Sequence, residues 1–315
     1  MAARNLGLGS RQPSKAGKFA LSNKNLSFSS TATITERWNQ FVKFMDINGI
    51  RDMSEITRST VIKYGIDLSL RIDSDEISIS YAQNLVSAVN TVMFMATLGT
   101  WNSISPTKDC GIPERSHIRT TPPSGLCRET FYDALSKLGE HHPTEGKAVA
   151  ILARELGLRT KEAALLDCSK ALIEAQNSKF VNVTRGTKGG RKRKIPIVSN
   201  HQIQALIFSH RIQGEKNCLI PTGTTWAEFR SEQVRKTREA LQKYGITRLH
   251  DLRSAYACER YEQLSGQPAP VLGGKIESPI GHMTRIKIAI ELGHSRIDVT
   301  NSYLGGLNAK SRAES

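Results

Sequence analysis

The amino-acid sequence predicts a mainly helical protein with a small antiparallel β-sheet, an α+β chain divided into two domains. Large apolar residues recur at helical spacing between positions 34 and 92, so this part predicts helices only. Further along, KFVNVT at 179–184 and KIPIV at 194–198 have the composition of short strands. The turn-rich RGTKGGRKR between them is typical of a hairpin. The chain has 315 residues, which is enough for two modest domains and short for three.

The net charge of the chain favours a polyanionic partner. It has 44 Lys and Arg residues against 29 Asp and Glu, a formal net charge of +15. Such a field attracts nucleic acid most commonly, with anionic membranes and ribosomes as alternatives. No apolar run approaches the roughly 20 residues needed to span a bilayer, and the first residues lack the apolar stretch of a signal peptide. We therefore expect a cytoplasmic protein with no membrane partner.

The cysteines and the phosphate-binding and metal-binding motifs suggest chemistry without a cofactor. The five cysteines are odd in number, scattered, and never in a CxxC pair, which is typical of reduced thiols and argues against a zinc site. The sequence contains neither GxxxxGK[ST] nor HExxH. We expect that the protein uses no ATP, no metal and no other cofactor.

The N-terminal half begins with a basic stretch and continues as helices. Residues 1–28 carry five basic residues and no acidic one, so they predict either a flexible solvated arm or an arm that contacts DNA. Residues 29–100 predict an all-helical domain of three helices. The first has apolar residues from Ile34 to Met45 and stops at Gly49, the second covers 59–70, and the third has a stripe from Tyr81 to Val92.

The middle of the chain predicts a linker and then a second domain. Residues 101–127 contain four prolines and no periodicity, so they predict a plain tether or a basic strap across a phosphate backbone, with Arg115 and Arg119 as DNA contacts. Residues 128–315 form the second predicted domain. Its helices are expected around 148–156, 225–243, 251–264 and 284–292, with a short one after His294.

Two basic features stand in the first half of the second domain. In GLRTKEAALL, one helix ends at Gly157 and the next begins near Thr160, so the side chain of Arg159 projects from the junction and Glu162 is within reach to hold it. In TKGGRKRKIPI, Lys188 precedes two glycines at a hairpin tip, from which its ammonium group can swing into a cleft. The following Arg191, Lys192 and Arg193 predict general contacts with phosphates. Each feature alone is more typical of a solvated surface.

Two further motifs lie near the C-terminus. In HDLR, His250 and Arg253 share one face of a helix, which brings a proton carrier beside a group that grips phosphate oxygens. In LGHSRIDVTNSY, Ser295 and Asp298 have the spacing of a capping box, so a helix is predicted to start directly after His294. Tyr303 follows nine residues after that histidine. A lone HxxR pair or a lone tyrosine would usually be structural.

The four motifs in this order strongly resemble the tyrosine recombinase (phage integrase) family. Its catalytic domain carries R-x-x-E-x-x-x-L, a hairpin lysine, H-x-x-R, and then L-G-H with a tyrosine nine residues later. The resemblance covers residues 128–304 in detail, and the preceding helices are similar to the family's core-binding domain in architecture. It implies that Tyr303 is a covalent nucleophile in a pocket made by five residues: Arg159, Lys188, His250, Arg253 and His294. Glu162 and Asp251 would hold these residues in place.

The resemblance also implies an activity and partners. Tyr303 would attack a phosphodiester with His250 as base and Lys188 as acid, while Arg159, Arg253 and His294 stabilise the negative charge. The 3′-phosphotyrosine keeps the bond energy, so rejoining needs no ATP. Partners would be double-stranded DNA with att-type sites and a homotetramer on DNA formed from monomers, through a Holliday junction. An accessory DNA-bending or excision factor and a bacterial, nucleoid-associated location fit the same family.

One departure and two alternatives remain open. Forty residues separate Arg253 from His294, a longer stretch than most relatives carry, and it predicts either an inert loop or a contact between protomers. A second Gly-His, at His282, lies too far from Tyr303 to replace His294. A type IB topoisomerase would use a similar pocket. A non-catalytic DNA-binding regulator would be a recombinase that has lost its activity.

Overall fold

The computed structural model describes residues 4–22, 26–138, 144–274 and 279–306, in two compact units. The first unit is Met1–Ser116 and the second is His117–Ser315. Within the described ranges, no helix combines the length and the apolar character that a membrane span requires. The mainly helical fold with a small antiparallel sheet is confirmed.

The first unit is all helical. Serine or threonine side chains cap the start of three helices by accepting a hydrogen bond from a backbone N–H of the first turn, at Ser27, Thr57 and Ser78. Trp38, Phe41 and Tyr64 pack together at the centre of its core. Its helices are α1 (Pro13–Ser22), α2 (Phe28–Ile47), α3 (Arg58–Asp73) and α4 (Ile79–Ala96), with 3-10 turns at Arg4–Gly7 and Met53–Glu55.

The arm predicted for residues 1–28 differs from the structure over α1. Ala16, Ala20 and Leu21 are buried in the core of the first unit, and the Trp38 indole N–H donates to the Pro13 carbonyl over 2.9 Å. Gly17 lies so close to the Trp38 ring that a β-carbon there would come within 2.2 Å of it. The small residues of a basic segment therefore form a packing face, which its composition concealed. Residues 1–3 and 23–25 lie outside the described ranges.

The linker predicted for residues 101–127 is divided between the two units. Ile104, Cys110 and Ile112 are buried in the core of the first unit. Residues from His117 onward belong to the second unit. The segment that contains these prolines is therefore part of the two packed units. We call residues 117–125 the strap.

The second unit is helical with one hairpin. Strands β1 (Phe180–Val183) and β2 (Arg193–Pro196) pair antiparallel, with Val181 opposite Ile195. The helices α6, α9 and α12 pack closely at its centre. The helices are α5 (Arg128–Lys137), α6 (Thr144–Leu156), α7 (Thr160–Leu165), α8 (Cys168–Ser178), α9 (Asn200–Gln213), α10 (Trp226–Phe229), α11 (Arg235–Gln242), α12 (Leu249–Ser265), α13 (Pro279–Glu291) and α14 (Asn301–Leu304), with a π-helical turn at Arg230–Val234.

The long stretch between Arg253 and His294 is largely structured. It contains the end of α12, a 3-10 turn at Pro270–Leu272 with Val271 buried, and α13, which buries Ile288. Residues 275–278 lie outside the described ranges. The parts that are described pack into the second unit, so they are not an inert loop.

The capping box predicted at Ser295 and Asp298 is wrong. The chain forms a 3-10 turn only from Asp298 to Thr300, and no side chain caps it. The Asp298 carboxylate instead lies 3.4 Å from the Arg296 guanidinium. The short α14 that carries Tyr303 follows directly.

Candidate active site

Tyr303 lies at the centre of a cluster of histidine and arginine side chains. It is 3% exposed. Its hydroxyl oxygen is 3.4 Å from His250 Nε2 and accepts from Arg253 Nε over 3.4 Å. The ring of His294 also lies beside the ring of Tyr303, with 5.5 Å between their centroids. The motifs HDLR and LGHSRIDVTNSY, separate in sequence, therefore meet at one hydroxyl group.

Arg253 is fixed by backbone carbonyls. Its guanidinium is almost fully buried and donates to the carbonyls of Gly157 and Leu292. Gly157 has φ of +61° and lies against the Tyr256 ring, so a side chain there would be strained and would clash. Burial and the neighbouring arginines lower the pKa of Arg253 to about 10, which leaves it charged at neutral pH.

Glu162 joins three arginines beneath the site. Its buried carboxylate lies 2.7 Å from Arg159 Nη1, 2.7 Å from Arg193 Nη2 and 3.7 Å from Arg253 Nη1. Burial alone would raise the pKa of Glu162, but its hydrogen bonds with Arg193 and the charges around it lower the pKa to about 2. The carboxylate is thus ionised and orients Arg159, as the three-residue spacing predicted.

His294 is neutral at physiological pH. Burial and the charges of Arg253 and Arg159 lower the pKa of His294 to about 3. Its Nε2 lies 3.5 Å from Arg253 Nη2, and only a neutral ring can accept there, which assigns the proton to Nδ1. A neutral imidazole can still donate one hydrogen bond to a phosphate oxygen.

His250 also favours its neutral form. Desolvation by the surrounding protein and the positive charge of Arg253 lower its pKa, while Asp251 opposes the shift. The neutral ring presents Nε2 towards Tyr303, so it can accept the phenol proton if Nδ1 carries the hydrogen. The histidine is the second residue of α12 and keeps one side open to solvent.

Asp251 ties the strap to α12. Its carboxylate lies 3.1 Å from Arg119 Nη2 and accepts from the Ser124 hydroxyl over 2.9 Å. Arg119 also donates to the Ser254 hydroxyl over 3.2 Å, and its backbone N–H donates to the Asn301 carbonyl over 2.9 Å. The prediction that Asp251 is a supporting residue fits this position. The contact of Arg119 with DNA stays a prediction that this structure does not favour, because the guanidinium is occupied within the second unit.

The basic side chains of the predicted hairpin differ in burial. Lys188, Arg191 and Lys192 are exposed. Among the described residues, no hydrogen bond or ion pair links the Lys188 amine to the Tyr303 cluster. Arg193 points inward, where it donates twice to Glu162 and once to the Glu291 carbonyl, so the structure does not favour its predicted contact with DNA. Arg115 is exposed and belongs to the first unit.

Three features of the site were missed in the sequence. Arg193 has a signal after the fact, because it lies two residues before the buried Ile195 and therefore on the same inner face of β2. Arg285 of α13 is buried against the residues around Tyr303 and belongs to none of the four motifs. A groove beside Thr160 and Leu249 is lined by exposed basic residues of 226–238: Arg230, Arg235 and Arg238.

Comparisons with known proteins give one family model and several solved structures. A family model described as an integrase matches residues 125–259. A search of curated proteins found no match. Among solved structures, XerH site-specific recombinase bound to palindromic difH substrate matches with a TM-score of 0.60 and 14% identity, covering 96% of this chain and 83% of that one.

Two other solved structures are similar to a comparable degree. A lambda integrase dimer bound to a COC′ core site has a TM-score of 0.60 and 13% identity, over 92% of this chain and 75% of that one. The Tn1549 transposon integrase in complex with circular intermediate DNA has a TM-score of 0.59 and 14% identity, over 96% and 97% of the two chains. At these identities the likeness establishes the fold.

Residues 125–259 match the integrase family model, and the chain has the fold of the site-specific recombinases compared above. Both findings agree with the resemblance given by the four motifs.

Proposed function

We propose that this protein cleaves and rejoins DNA at the ends of a mobile genetic element through a 3′-phosphotyrosyl link to Tyr303. The observation that carries the proposal is the position of the Tyr303 hydroxyl between His250 Nε2 and Arg253 Nε, at 3.4 Å from each. One neighbour can take the phenol proton, and the other can stabilise the oxygen that remains.

The first step forms a bond between Tyr303 and phosphorus. A tyrosine hydroxyl is a weak acid, so it needs a base, and His250 Nε2 accepts its proton as the oxygen attacks. Arg253 Nε donates to the same oxygen and lowers the cost of the developing phenolate. Both distances are long for hydrogen bonds, and binding of DNA is expected to shorten them, as is common at catalytic sites.

The charge on phosphorus is met by groups fixed in advance. Arg253 is held by two carbonyls and Arg159 by Glu162, so neither guanidinium needs to reorganise when the pentavalent state forms. His294 supplies a neutral donor beside them. The negative phosphodiester offsets the repulsion among the arginines, which is a driving force for its binding in this cluster.

The bond from phosphorus to the 5′-oxygen then breaks. That oxygen needs a proton, and Lys188 is the proposed donor. It lies on an exposed turn between β1 and β2, with Gly189 and Gly190 both at positive φ, so the backbone there can change conformation at low cost. Rejoining is the reverse: another 5′-hydroxyl attacks the phosphotyrosine, and Tyr303 leaves with a proton. The proposed cycle uses no ATP and no metal.

Two exposed basic surfaces of the second unit suit contact with phosphates. One is the hairpin with Arg191 and Lys192. The other is the groove with Arg230, Arg235 and Arg238. It is also lined by Thr160 and Leu249, which adjoin Arg159 and His250 in sequence. Arg115 in the first unit remains a third proposed contact. The net charge of +15 supports such binding in general terms.

We further propose the assembly that the family resemblance implies. Monomers in solution would form a homotetramer on two DNA duplexes with att-type sites, and the strands would be exchanged through a Holliday junction. An accessory DNA-bending or excision factor would set the direction of the reaction. These partners are tested by the products of recombination and by sedimentation of the complex with DNA.

Sequencing of recombination junctions tests the proposed function. Bacterial cells that carry the element and this gene are expected to contain excised circles or new chromosomal junctions at one defined site, and cells with Tyr303→Phe are expected to contain none. Purified protein should then exchange strands between two duplexes with the mapped site. Relaxation of any supercoiled plasmid, without exchange at defined sites, would instead support a type IB topoisomerase. DNA binding without cleavage would support a regulator.

A further inference from the structure

Arg285 reaches the residues around Tyr303 from the buried face of α13. It is 7% exposed. Its Nη1 donates to the Thr300 hydroxyl and to the Asn301 side-chain oxygen, over 3.0 Å each, and its Nη2 donates to the Gly305 carbonyl over 2.7 Å. We call residues 298–306 the tyrosine segment. Every side-chain hydrogen bond described for the guanidinium ends within this segment.

The acceptors lie at the two ends of α14, which carries Tyr303. This helix has four residues, too few to be stable by itself, so its position depends on contacts with the rest of the protein. A guanidinium is planar and rigid and can bind two separate acceptors at once, which a lysine ammonium cannot do in the same geometry. Arg285 therefore bridges the residues before and after the nucleophile.

The burial of this charge has little other compensation. Among the described residues, no ion pair of Arg285 with a carboxylate is found within 4.0 Å, and burial lowers the pKa of Arg285. A buried cation held by neutral oxygens is costly unless the hydrogen bonds are well made. All three acceptors belong to the tyrosine segment, so displacement of the segment would leave the charge unsatisfied.

We infer that Arg285 is a positioning residue that holds the Tyr303 hydroxyl within reach of His250 and Arg253. The inference rests on the proposed function, and it gives the long stretch between Arg253 and His294 a role. Other contacts hold single points of the segment: the Arg119 N–H on the Asn301 carbonyl, and Gly305 packed against Val271. Among the described residues, Arg285 is the side chain whose hydrogen bonds reach both ends of α14.

Single-turnover cleavage of a nicked duplex, with DNA affinity measured in parallel, tests the inference. Arg285→Met is expected to slow formation of the covalent adduct by roughly 10- to 100-fold, because a displacement of about 1 Å at a reacting atom has effects of that size. The Kd for DNA should change by less than about 2-fold, since exposed residues bind DNA. Arg285→Lys keeps the charge and loses the bridge, so it should remain at least about 10-fold slow.

Arg154→Met is the matched control. Arg154 is also fully buried, but it binds Glu259 and the carbonyls of Gly125 and Leu126. This variant is expected to melt at a lower temperature and, when assayed while folded, to form the adduct at the wild-type rate. A slow rate in both variants at equal stability would overturn the inference, because general loss of packing would then explain it.

Two further outcomes bear on the bridge itself. Asn301→Ala removes one acceptor and should slow adduct formation on its own, but the double variant with Arg285→Met should be no slower than Arg285→Met alone. Additive effects, or a wild-type rate in Arg285→Lys or in Arg285→Met, would overturn the inference. If Arg285→Met fails to fold, Asn301→Ala and Thr300→Val test the same bridge from its other side. Absence of an adduct from the wild-type protein would instead overturn the proposed function.

Discussion

The Nε2 atom of His250 lies 3.4 Å from the hydroxyl oxygen of Tyr303, although 53 residues separate them in sequence. Burial and the positive charges of Arg253, Arg119 and Arg159 lower the pKa of the histidine, and Asp251 opposes this shift. The relationship assigns the base and the nucleophile of the proposed reaction. It also fixes how the reaction should depend on pH.

Cleavage should persist below the ordinary titration range of histidine. Desolvation and the charge of Arg253 lower the pKa of His250 below its ordinary 6.5. The neutral base therefore persists to lower pH, and activity should fall only where the pH drops below this lowered pKa. The second-order rate of adduct formation at low protein concentration, measured from pH 5 to 8, reports the free protein. His250→Gln should be slow and should lack this acid limb. An acid limb centred at or above pH 6.5, or one retained in His250→Gln, would exclude His250 as the base.

Lys188 should matter only when the leaving group needs a proton. Lys188→Met is expected to slow cleavage of ordinary DNA by about 10²- to 10⁴-fold, the usual contribution of a general acid. In a duplex with sulfur in place of the bridging 5′-oxygen, the leaving group departs as a thiolate and needs no proton. The variant and the wild type should then cleave this duplex at similar rates. Lys194→Met, a change at an exposed lysine of β2, is the control and should be normal on both duplexes. An equal defect on the sulfur duplex would rule out the acid role.

Glu162 should stabilise the second unit through its ionised form. Its folded pKa of about 2 is below the ordinary 4.5, so its contribution of about 3 kcal/mol is present above pH 4.5 and is lost as the pH falls towards 2. Glu162→Gln should lower the melting temperature of this unit by about 6–12 °C at pH 7. The difference from wild type should shrink at pH 3 in scanning calorimetry. Glu239→Gln, at a partly exposed pair with Arg235, should change stability by less than about 1 kcal/mol. A pH-independent effect of Glu162→Gln would contradict this.

The exposed basic residues of the hairpin and Arg119 of the strap should differ in their effect on DNA binding. Each phosphate contact adds about one to the slope of log K against log salt. Arg191→Ala and Lys192→Ala should each reduce that slope by about one. Arg119→Gln should leave it unchanged, since its guanidinium binds Asp251 and Ser254. Titrations between low and moderate NaCl measure the slopes, and a reduction by one in Arg119→Gln would restore it as a DNA contact.

Local spacing predicted the parts of the site that depend on neighbours in sequence. The helix junction at Gly157, the three-residue step from Arg159 to Glu162 and the shared face of His250 and Arg253 each follow from helix geometry. The order of the four motifs then identified the family. Their arrival at one hydroxyl group needed the fold.

The features that the sequence did not predict involve both distant residues and sequence neighbours. Arg193 and Glu162 are 31 residues apart in sequence. In the basic run of the hairpin, only the two-residue spacing from Ile195 distinguishes the inward arginine from its exposed neighbours. At Ser295 and Asp298 the capping pattern was present, but the Asp298 carboxylate forms an ion pair with Arg296 instead. Arg285 lies outside every motif, so only its hydrogen bonds revealed it.

The covalent intermediate provides the most direct test of the proposed chemistry. Purified protein would be incubated with a nicked duplex of the mapped site, in which the short cleaved strand diffuses away and traps the adduct. We expect a denaturation-resistant complex, with mass spectrometry placing the 3′-phosphate of the DNA on Tyr303, and none from Tyr303→Phe. A wild-type protein that binds this duplex and forms no adduct, or an undiminished adduct in Tyr303→Phe, would contradict the assignment of Tyr303 as the nucleophile.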